Sequence, residues 1–316
     1  MGFIHDTFGE SVTELWNVAK EIKDKPIHPD ITWTYGFLKG KGHDYLDLQT
    51  HALALASSVI ITEPVVPKII CCWDTPVCRI SSRRSGQQDR DEYYPKYMLS
   101  QMGVPEEEFH TTQTEKLFRR DTKYFSLVRS SRSVNTYSFR LGIGYRAKYL
   151  GLEYVKTPYG IMTDTDTICL RPCVEFLMDE VNKNPDSFCW SAFWEPENVQ
   201  LNVGLNVYNM SLYHSIYQPY FNEMYWDLPK QDGYFFGTVL KRYPELVDKL
   251  PVELLDYEKV STGKYKGYNM AGGKTTWNDD KTMHYHGWKG EYRTRRNKQG
   301  FIDTFNNILD TLKNNA

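Results

Sequence analysis

The chain has 316 residues, of which 41% are hydrophobic, 25% are charged and 15% are aromatic, and its formal net charge is −2. This composition is ordinary for a globular protein, and the length suits one large α/β domain or two small ones. The near-neutral charge excludes the binding of a polyanion by bulk charge alone.

The sequence also bears on where the protein works. No basic segment followed by an apolar one opens the chain, and no apolar run approaches the roughly 18 residues that span a bilayer. The cysteines form no C-x-x-C pair, so we expect reduced, packed thiols; they are Cys71, Cys72, Cys78, Cys169, Cys173 and Cys189. We therefore expect a soluble, non-secreted, cytoplasmic protein.

The first predicted element is an amphipathic helix over residues 8–23, with Asp6 and Thr7 as suitable caps. The other predicted elements are a strand at 31–37, a turn at 36–42, a helix at 44–58, a strand at 68–73, helices at 95–101 and 137–150, a strand at 159–163, a helix at 174–182, strands at 187–193 and 201–208, and helices at 232–242 and 301–312. This alternation of strands and helices predicts an α/β fold.

The first strand, helix and second strand are typical of a doubly wound nucleotide-binding sheet, because a glycine-bearing turn follows the first strand. Such sheets bind their ligand beyond the carboxyl ends of the strands. We therefore expect the segment from Tyr35 to His43, and Asp74 after the second strand, to lie at a ligand-binding edge.

The strand at 159–163 runs directly into Asp164-Thr165-Asp166. Side chains at i and i+2 of a strand share a face, so both carboxylates can meet one hard cation such as Mg²⁺ or Mn²⁺. Asp89 and Asp91 have the same spacing without an apolar strand before them, and we interpret them as part of a solvated charge run. The apolar context makes a metal site the better interpretation of the first pair.

The segment from Tyr159 to Pro172 resembles the DxD strand of retaining glycosyltransferases of the GT-A fold, especially the glycogenin-like and Och1-like families. The resemblance implies a Rossmann-like mixed sheet flanked by helices in a single large domain. Its predicted parts are an N-terminal helical extension at 1–28, a catalytic domain at 29–292, and a basic segment with a helix at 293–316. The implied activity is metal-dependent transfer of a hexose or pentose, with retention, from a nucleotide-diphosphate sugar, with a UDP-sugar favoured.

Three further segments, which begin at Arg140, Asn202 and His284, match these families in order. Arg140 resembles the arginine placed against the donor sugar, and Asn202-Val-Gly204 resembles the Asn-x-Gly strand beneath it. Asp232 resembles a carboxylate that approaches acceptor and sugar, although a helix N-cap is an equally good interpretation. The resemblance also implies that Thr165 contacts the donor and that Asp166 serves catalysis as well as the metal.

The segment from His284 to Lys289 resembles the C-terminal segment in which a histidine completes the metal site and Gly287 and Lys289 meet the diphosphate. The lysine comes one residue earlier than in the glycogenin-like pattern. The ligand is therefore His284 or His286, with His284 favoured. A histidine ligand favours Mn²⁺ over Mg²⁺.

Arginine clusters raise the question of the acceptor. The candidates for acceptor phosphate contacts are Arg83, Arg84, Arg119, Arg120 and Arg295. Such clusters suit either a solvated surface, which leaves a surface glycan or polysaccharide as the acceptor, or DNA with a hydroxymethylated base turned out of the stack.

Two further interpretations belong to other functional classes. A nucleotidyltransferase would use the paired aspartates and the metal, but would not explain the Asn-x-Gly and His-x-x-Gly segments. A non-catalytic nucleic-acid-binding module would need the arginines without Asp164 and Asp166.

Overall fold

The structure is a computed structural model. It describes residues 3–37, 44–73, 77–80, 92–95, 122–129, 147–165, 167–191, 194–195, 197, 200–201, 204–225, 227–229, 232–255, 261–263, 284–286 and 298–316.

The described helices and strands follow one another along the chain as an α/β arrangement. The helices are α1 (Phe3–Ala19), α2 (Asp44–Thr62), α3 (Ala147–Leu152), α4 (Val174–Lys183), α5 (Met210–Leu212), α6 (Gln218–Glu223), α7 (Phe235–Arg242) and α8 (Lys298–Asn314). The strands are β1 (Ile27–Phe37), β2 (Val66–Trp73), β3 (Val77–Ile80), β4 (Glu92–Pro95), β5 (Phe125–Arg129), β6 (Tyr159–Thr163), β7 (Thr167–Cys169), β8 (Cys189–Ser191), β9 (Trp194–Glu195), β10 (Gln200–Leu201), β11 (Leu205–Asn209), β12 (Val252–Leu254), β13 (Ser261–Gly263) and β14 (His284–His286). A π-helical turn at Tyr213–Tyr217 joins α5 to α6, and 3-10 turns lie at Asp232–Tyr234 and Pro244–Lys249.

A seven-stranded mixed sheet forms the centre of the molecule, in the order β12-β8-β11-β6-β1-β2-β5. β1 is parallel to β2 and β6, and β2 is parallel to β5. β11 is antiparallel to β6 and β8, whereas β12 is parallel to β8. The predicted Rossmann-like α/β sheet flanked by helices is therefore confirmed.

One layer of the core lies beneath α1, α2 and α8. Val12, Leu15, Trp16 and Ala19 are buried at helical spacing on one face of α1, and the ring of Trp16 lies edge-on at 5.3 Å from Phe125. The same cluster contains three residues of α8, which are Ile308, Leu309 and Leu312. The terminal helices therefore share a core with the sheet.

Helix α1 begins at Phe3, earlier than the predicted residue 8. Asp6 and Thr7 consequently lie inside the helix, and the prediction that they cap it is wrong. The apolar face from Val12 to Ala19 agrees with the sequence periodicity, because that periodicity marks the buried stripe and not the first turn.

The opposite layer is rich in aromatic side chains. Phe188 stacks on Phe236 with ring centroids 5.3 Å apart, and Tyr149 stacks on Phe221 at 5.4 Å. Other fully buried rings of this cluster are Tyr208, Tyr213, Tyr217, Tyr225 and Phe235. For these residues the aromatic excess of the sequence serves core packing.

Five cysteines of the described residues are buried thiols, as the sequence predicted; they are Cys71, Cys72, Cys169, Cys173 and Cys189. Within the described ranges, none of the helices combines the length and apolarity that a bilayer crossing requires.

The predicted strand over 201–208 is two strands. Leu201 pairs with Trp194 in a two-stranded hairpin, and the central sheet resumes at Leu205. Gly204 lies at the break, where a glycine weakens strand pairing because it has no side chain to pack.

A buried carboxylate joins the end of α2 to the start of α4. Glu63 is 1% exposed, and its Oε1 accepts hydrogen bonds from the backbone N–H groups of Cys173 at 2.8 Å and Val174 at 3.3 Å. Lys25 Nζ donates to the carbonyls of Ile60 at 3.0 Å and Ile61 at 2.6 Å. Side chains from distant segments thus satisfy backbone groups at two helix termini.

The ionisation of Glu63 predicts a pH dependence of stability. Burial raises the pKa of Glu63 above its ordinary value of 4.5, while the hydrogen bonds from Cys173 and Val174 oppose this shift. Because the pKa is higher in the folded state, this group's contribution to stability is complete below pH 4.5 and is lost as the pH rises through the folded-state pKa. The Glu63→Gln variant keeps an acceptor oxygen and cannot ionise, so we expect its stability relative to wild type to increase over that range.

Urea unfolding at several pH values checks this expectation. Glu175→Gln is the matched control, since Glu175 is exposed in the first turn of α4. Stability curves for wild type and Glu63→Gln that run parallel across the range would contradict the prediction.

Candidate active site

The carboxyl ends of four parallel strands meet at one edge of the central sheet. β1, β2, β5 and β6 all end there, and antiparallel β11 begins there with Leu205 opposite Thr163. Asp164 directly follows β6, so it lies at this edge. Ligands of open α/β sheets bind beyond this edge.

The backbone of Asp164 is tied to the Asn-x-Gly segment. Its N–H donates to the carbonyl of Gly204 at 3.3 Å. The preceding residue, Thr163, is buried and accepts a hydrogen bond from Trp33 Nε1 at 3.0 Å. The following residue, Thr165, is 8% exposed. Two of the predicted segments are therefore adjacent.

A lysine that the sequence prediction missed completes this group. Lys148 Nζ lies 2.5 Å from Asp164 Oδ1, and the lysine side chain is 3% exposed whereas that of Asp164 is 24% exposed. The prediction had instead selected Arg140 from the helix that precedes β6. One sequence signal could have indicated Lys148. It is nearer in sequence than Arg140 to the start of β6, which leads to Asp164.

Helix α3, which carries Lys148, lies very close to the sheet. A β-carbon placed on Gly151 would lie 2.2 Å from Thr34 Oγ1 and 3.3 Å from Cys72 Cβ. The carbonyl of buried Tyr149 accepts a hydrogen bond from Tyr213 Oη at 3.1 Å. These contacts hold the backbone that directly follows Lys148.

The 3-10 turn that contains Asp232 lies against the hairpin that leads to Asn202. A β-carbon on Gly233 would lie 3.2 Å from the carbonyl oxygen of Leu201. The N-cap position of α7 is Tyr234, so Asp232 is not the N-cap of that helix. The backbone thus brings the Asp232 segment beside the Asn-x-Gly segment.

The two candidate histidines occupy a strand that pairs with β7. His286 lies opposite Thr167 and His284 lies opposite Cys169. Because β7 begins one residue after Asp166, the backbone of His286 is the closer of the two to the Asp-Thr-Asp segment, by about 7 Å along the strand.

The chemistry of the described residues fits an oxygen-binding cation only in part. Asp164 supplies a partly exposed carboxylate, which Mg²⁺ and Mn²⁺ accept as a ligand. Among the side chains that the structure describes, no three from histidine, cysteine, aspartate and glutamate form a group that could hold a metal. The side chains of Asp166, His284 and His286 are not part of that set.

Tyr35 corrects one prediction. Its side chain is fully buried within β1, and its hydroxyl donates to the carbonyl of Ala52 at 2.8 Å. Burial raises the pKa of Tyr35 well above its ordinary value, and the neighbouring Cys71 adds to this shift. The side chain of Tyr35 is therefore part of the core and is not exposed at the ligand-binding edge where the sequence placed it.

The remaining predicted site residues lie outside the described residues. They are Asp74, Arg140, Asp166, Asn202, Gly287 and Lys289 for the donor and metal, and Arg83, Arg84, Arg119, Arg120 and Arg295 for the acceptor.

Several solved glycosyltransferases show a distant likeness to this chain. The galactosyltransferase LgtC, solved with donor and acceptor sugar analogues, is 11% identical over 89% of this chain and 95% of its own, with a TM-score of 0.49. Mouse xyloside xylosyltransferase 1 is 12% identical over 82% of this chain and 97% of its own, with a TM-score of 0.42. The mannosyltransferase PcManGT from Pyrobaculum calidifontis, solved with GDP-Man and Mn²⁺, is 9% identical over 79% of this chain, with a TM-score of 0.35, and this chain spans 64% of its length.

No protein-family model matches the chain, and no protein of curated function matches it by sequence. The functional assignment therefore rests on the residues of this chain.

Proposed function

We propose that this protein is a GT-A-type glycosyltransferase that uses a divalent cation to transfer a sugar from a nucleotide-diphosphate sugar to an acceptor hydroxyl. The observation that carries the proposal is the position of Asp164. Its carboxylate stands at the carboxyl edge of the sheet, its N–H is bonded to Gly204, and Lys148 Nζ lies against its Oδ1. Both the sheet edge and the resemblance of the Asp-Thr-Asp segment support a donor site here.

Asp164, Asp166 and one histidine would hold the cation, which is Mn²⁺ or Mg²⁺. When bound, such a cation neutralises the charge that develops on the diphosphate as the sugar leaves. The register of β14 against β7 favours His286 as the histidine, although the sequence pattern favoured His284. The ammonium of Lys148 adds a fixed positive charge at the same end of β6.

The other roles follow the resemblance. Arg140, Thr165, Asn202 and Gly204 hold the donor sugar, and Asp74 is assigned to the donor because it follows the second strand of the sheet. Gly287 and Lys289 bind the diphosphate. Asp232 approaches the acceptor and the sugar, which the contact between its turn and the hairpin at Leu201 supports.

The configuration of the transferred sugar is retained under this proposal. The departing diphosphate takes the proton of the acceptor hydroxyl, so no separate general base is required. The donor is a UDP-sugar, and the acceptor is a glycan or polysaccharide.

Release of free nucleotide from a panel of UDP-, GDP-, dTDP- and CMP-sugars tests the proposal. We expect slow hydrolysis of one donor in the presence of Mn²⁺ and none with excess EDTA, because the leaving diphosphate needs the cation. Oligosaccharides and hydroxymethylated DNA are then compared as acceptors with that donor. No release from any donor, together with no donor-dependent thermal shift, would overturn the transferase and favour a binding module.

A further inference from the structure

A buried lysine lies against the aspartate that the proposed function makes a metal ligand. Lys148 Nζ is 2.5 Å from Asp164 Oδ1, and only 3% of the lysine side chain is exposed. Removing an ammonium from water is costly unless its charge is compensated. An exposed lysine would compensate the carboxylate only weakly. Because this lysine is buried, we expect that removing either charge of the pair has a large effect on stability.

Both partners of this ion pair are fixed by their backbones. Gly151 has no side chain, which allows α3 to lie directly against Thr34 of β1. The Tyr149 carbonyl accepts a hydrogen bond from Tyr213 Oη. On the other side, the N–H of Asp164 is bonded to the carbonyl of Gly204. The ammonium and the carboxylate therefore meet because of the fold, and not through a chance arrangement of two flexible side chains.

We propose that Lys148 is a built-in counter-cation for Asp164, which neutralises this carboxylate when no divalent cation is bound and competes with the cation for it. The inference rests on the proposed function, because that function makes Asp164 a metal ligand. Two carboxylates gathered for a dication repel each other when the dication is absent. The proposed function brings the carboxylates of Asp164 and Asp166 to one dication, and under it Lys148 offsets part of their repulsion.

Two consequences of opposite sign follow. Without a cation, loss of the ammonium removes a buried positive charge that stabilises the Asp164 carboxylate, so the fold is weakened. With a cation, loss of the ammonium removes a charge that repels the arriving dication, so binding is strengthened. A lysine that served only to pack α3 against the sheet would produce the first effect without the second.

The first part of the test is a double-mutant cycle in EDTA. The variants are Lys148→Met, Asp164→Asn and the combination of both, and the measured quantity is the midpoint of thermal unfolding. We expect each single change to lower the midpoint and the combination to lower it by less than the sum, because the double variant removes both charges of the ion pair.

The second part is a titration with Mn²⁺ alone, followed by calorimetry and by thermal shift. We expect Lys148→Met to bind Mn²⁺ about tenfold more tightly than wild type, a typical strength for coupling between sites, and Lys148→Arg to bind like wild type. Lys183→Met is the matched control, since Lys183 Nζ is also 2.5 Å from a carboxylate, that of Glu180, but its side chain is 62% exposed. This control should change neither measurement.

The outcomes separate this inference from the proposed function. Additive midpoint losses in EDTA, or Mn²⁺ binding by Lys148→Met that is no tighter than that of wild type, overturn the counter-cation alone. If Lys148→Met does not fold, restoration of folding by Asp164→Asn supports the pair, and an unfolded double variant overturns it. Wild-type protein that binds no Mn²⁺, even with a nucleotide, overturns the metal-dependent function and the competition together.

Discussion

Replacing Asp164 with asparagine should lower metal-dependent nucleotide release by a factor of about 10²–10³, the size of effect seen when one stabilising group is removed from an enzyme site. Asparagine has nearly the shape of aspartate but lacks the negative charge that holds a dication. The backbone N–H at position 164 can still donate to the Gly204 carbonyl, so the end of β6 should keep its position. The loss should fall mainly on kcat, because the cation acts on the leaving diphosphate.

The measurement is the steady-state rate of nucleotide release at saturating Mn²⁺. Asp179→Asn is the control, because Asp179 is exposed on α4 and lies away from the carboxyl edge. Circular dichroism of both variants separates a folding defect from a chemical one. An Asp164→Asn protein that is folded and retains at least half of the wild-type rate would remove Asp164 from the metal site.

A methyl group at position 151 should destabilise the protein by ~1–3 kcal/mol, as overpacking of a well-packed interior commonly does. The β-carbon of Gly151→Ala would lie 2.2 Å from Thr34 Oγ1 and 3.3 Å from Cys72 Cβ. The first distance is shorter than β-carbons tolerate in real structures. Because α3 must then move away from the sheet, Lys148 should also lose its position beside Asp164. We therefore expect lower stability together with tighter Mn²⁺ binding, in the same direction as for Lys148→Met.

Urea unfolding measures the loss of stability caused by Gly151→Ala. The same substitution in a Thr34→Ala background tests whether the clash with Thr34 causes that loss. Thr34 Oγ1 is buried and has no hydrogen-bond partner among the described residues, so its removal costs no hydrogen bond there. Deleting this oxygen should therefore restore part of the stability that Gly151→Ala loses. Equal losses from Gly151→Ala in both backgrounds would show that Thr34 is not the obstacle.

Local sequence patterns predicted the elements that form the sheet edge. The apolar runs that became β2 and β6, and the helical spacing of α2 and α4, are properties of neighbouring residues, and the structure keeps them within a few positions. The position of Asp164 followed for the same reason, because it directly follows such a run.

Local sequence patterns did not predict the contacts between segments that are distant in the chain. The pairing of Lys148 with Asp164 depends on how α3 lies on the sheet. The contact of Glu63 with Cys173 joins residues 110 positions apart. Tyr35 was placed at the ligand-binding edge because it lies near the carboxyl end of β1, and the local sequence does not show that its hydroxyl reaches the Ala52 carbonyl in α2.

The hydrogen bonds from β7 and α4 to α2 have a consequence for ligand recognition. The N–H of Cys169 donates to Ser58 Oγ at 3.0 Å, and the N–H of Cys173 donates to Glu63 Oε1 at 2.8 Å. The segment that follows the Asp-Thr-Asp sequence is thus fastened at two points to a buried helix. The conformational entropy of this segment is lost when the chain folds and not when a ligand binds. This side of the site is therefore preorganised for its ligand.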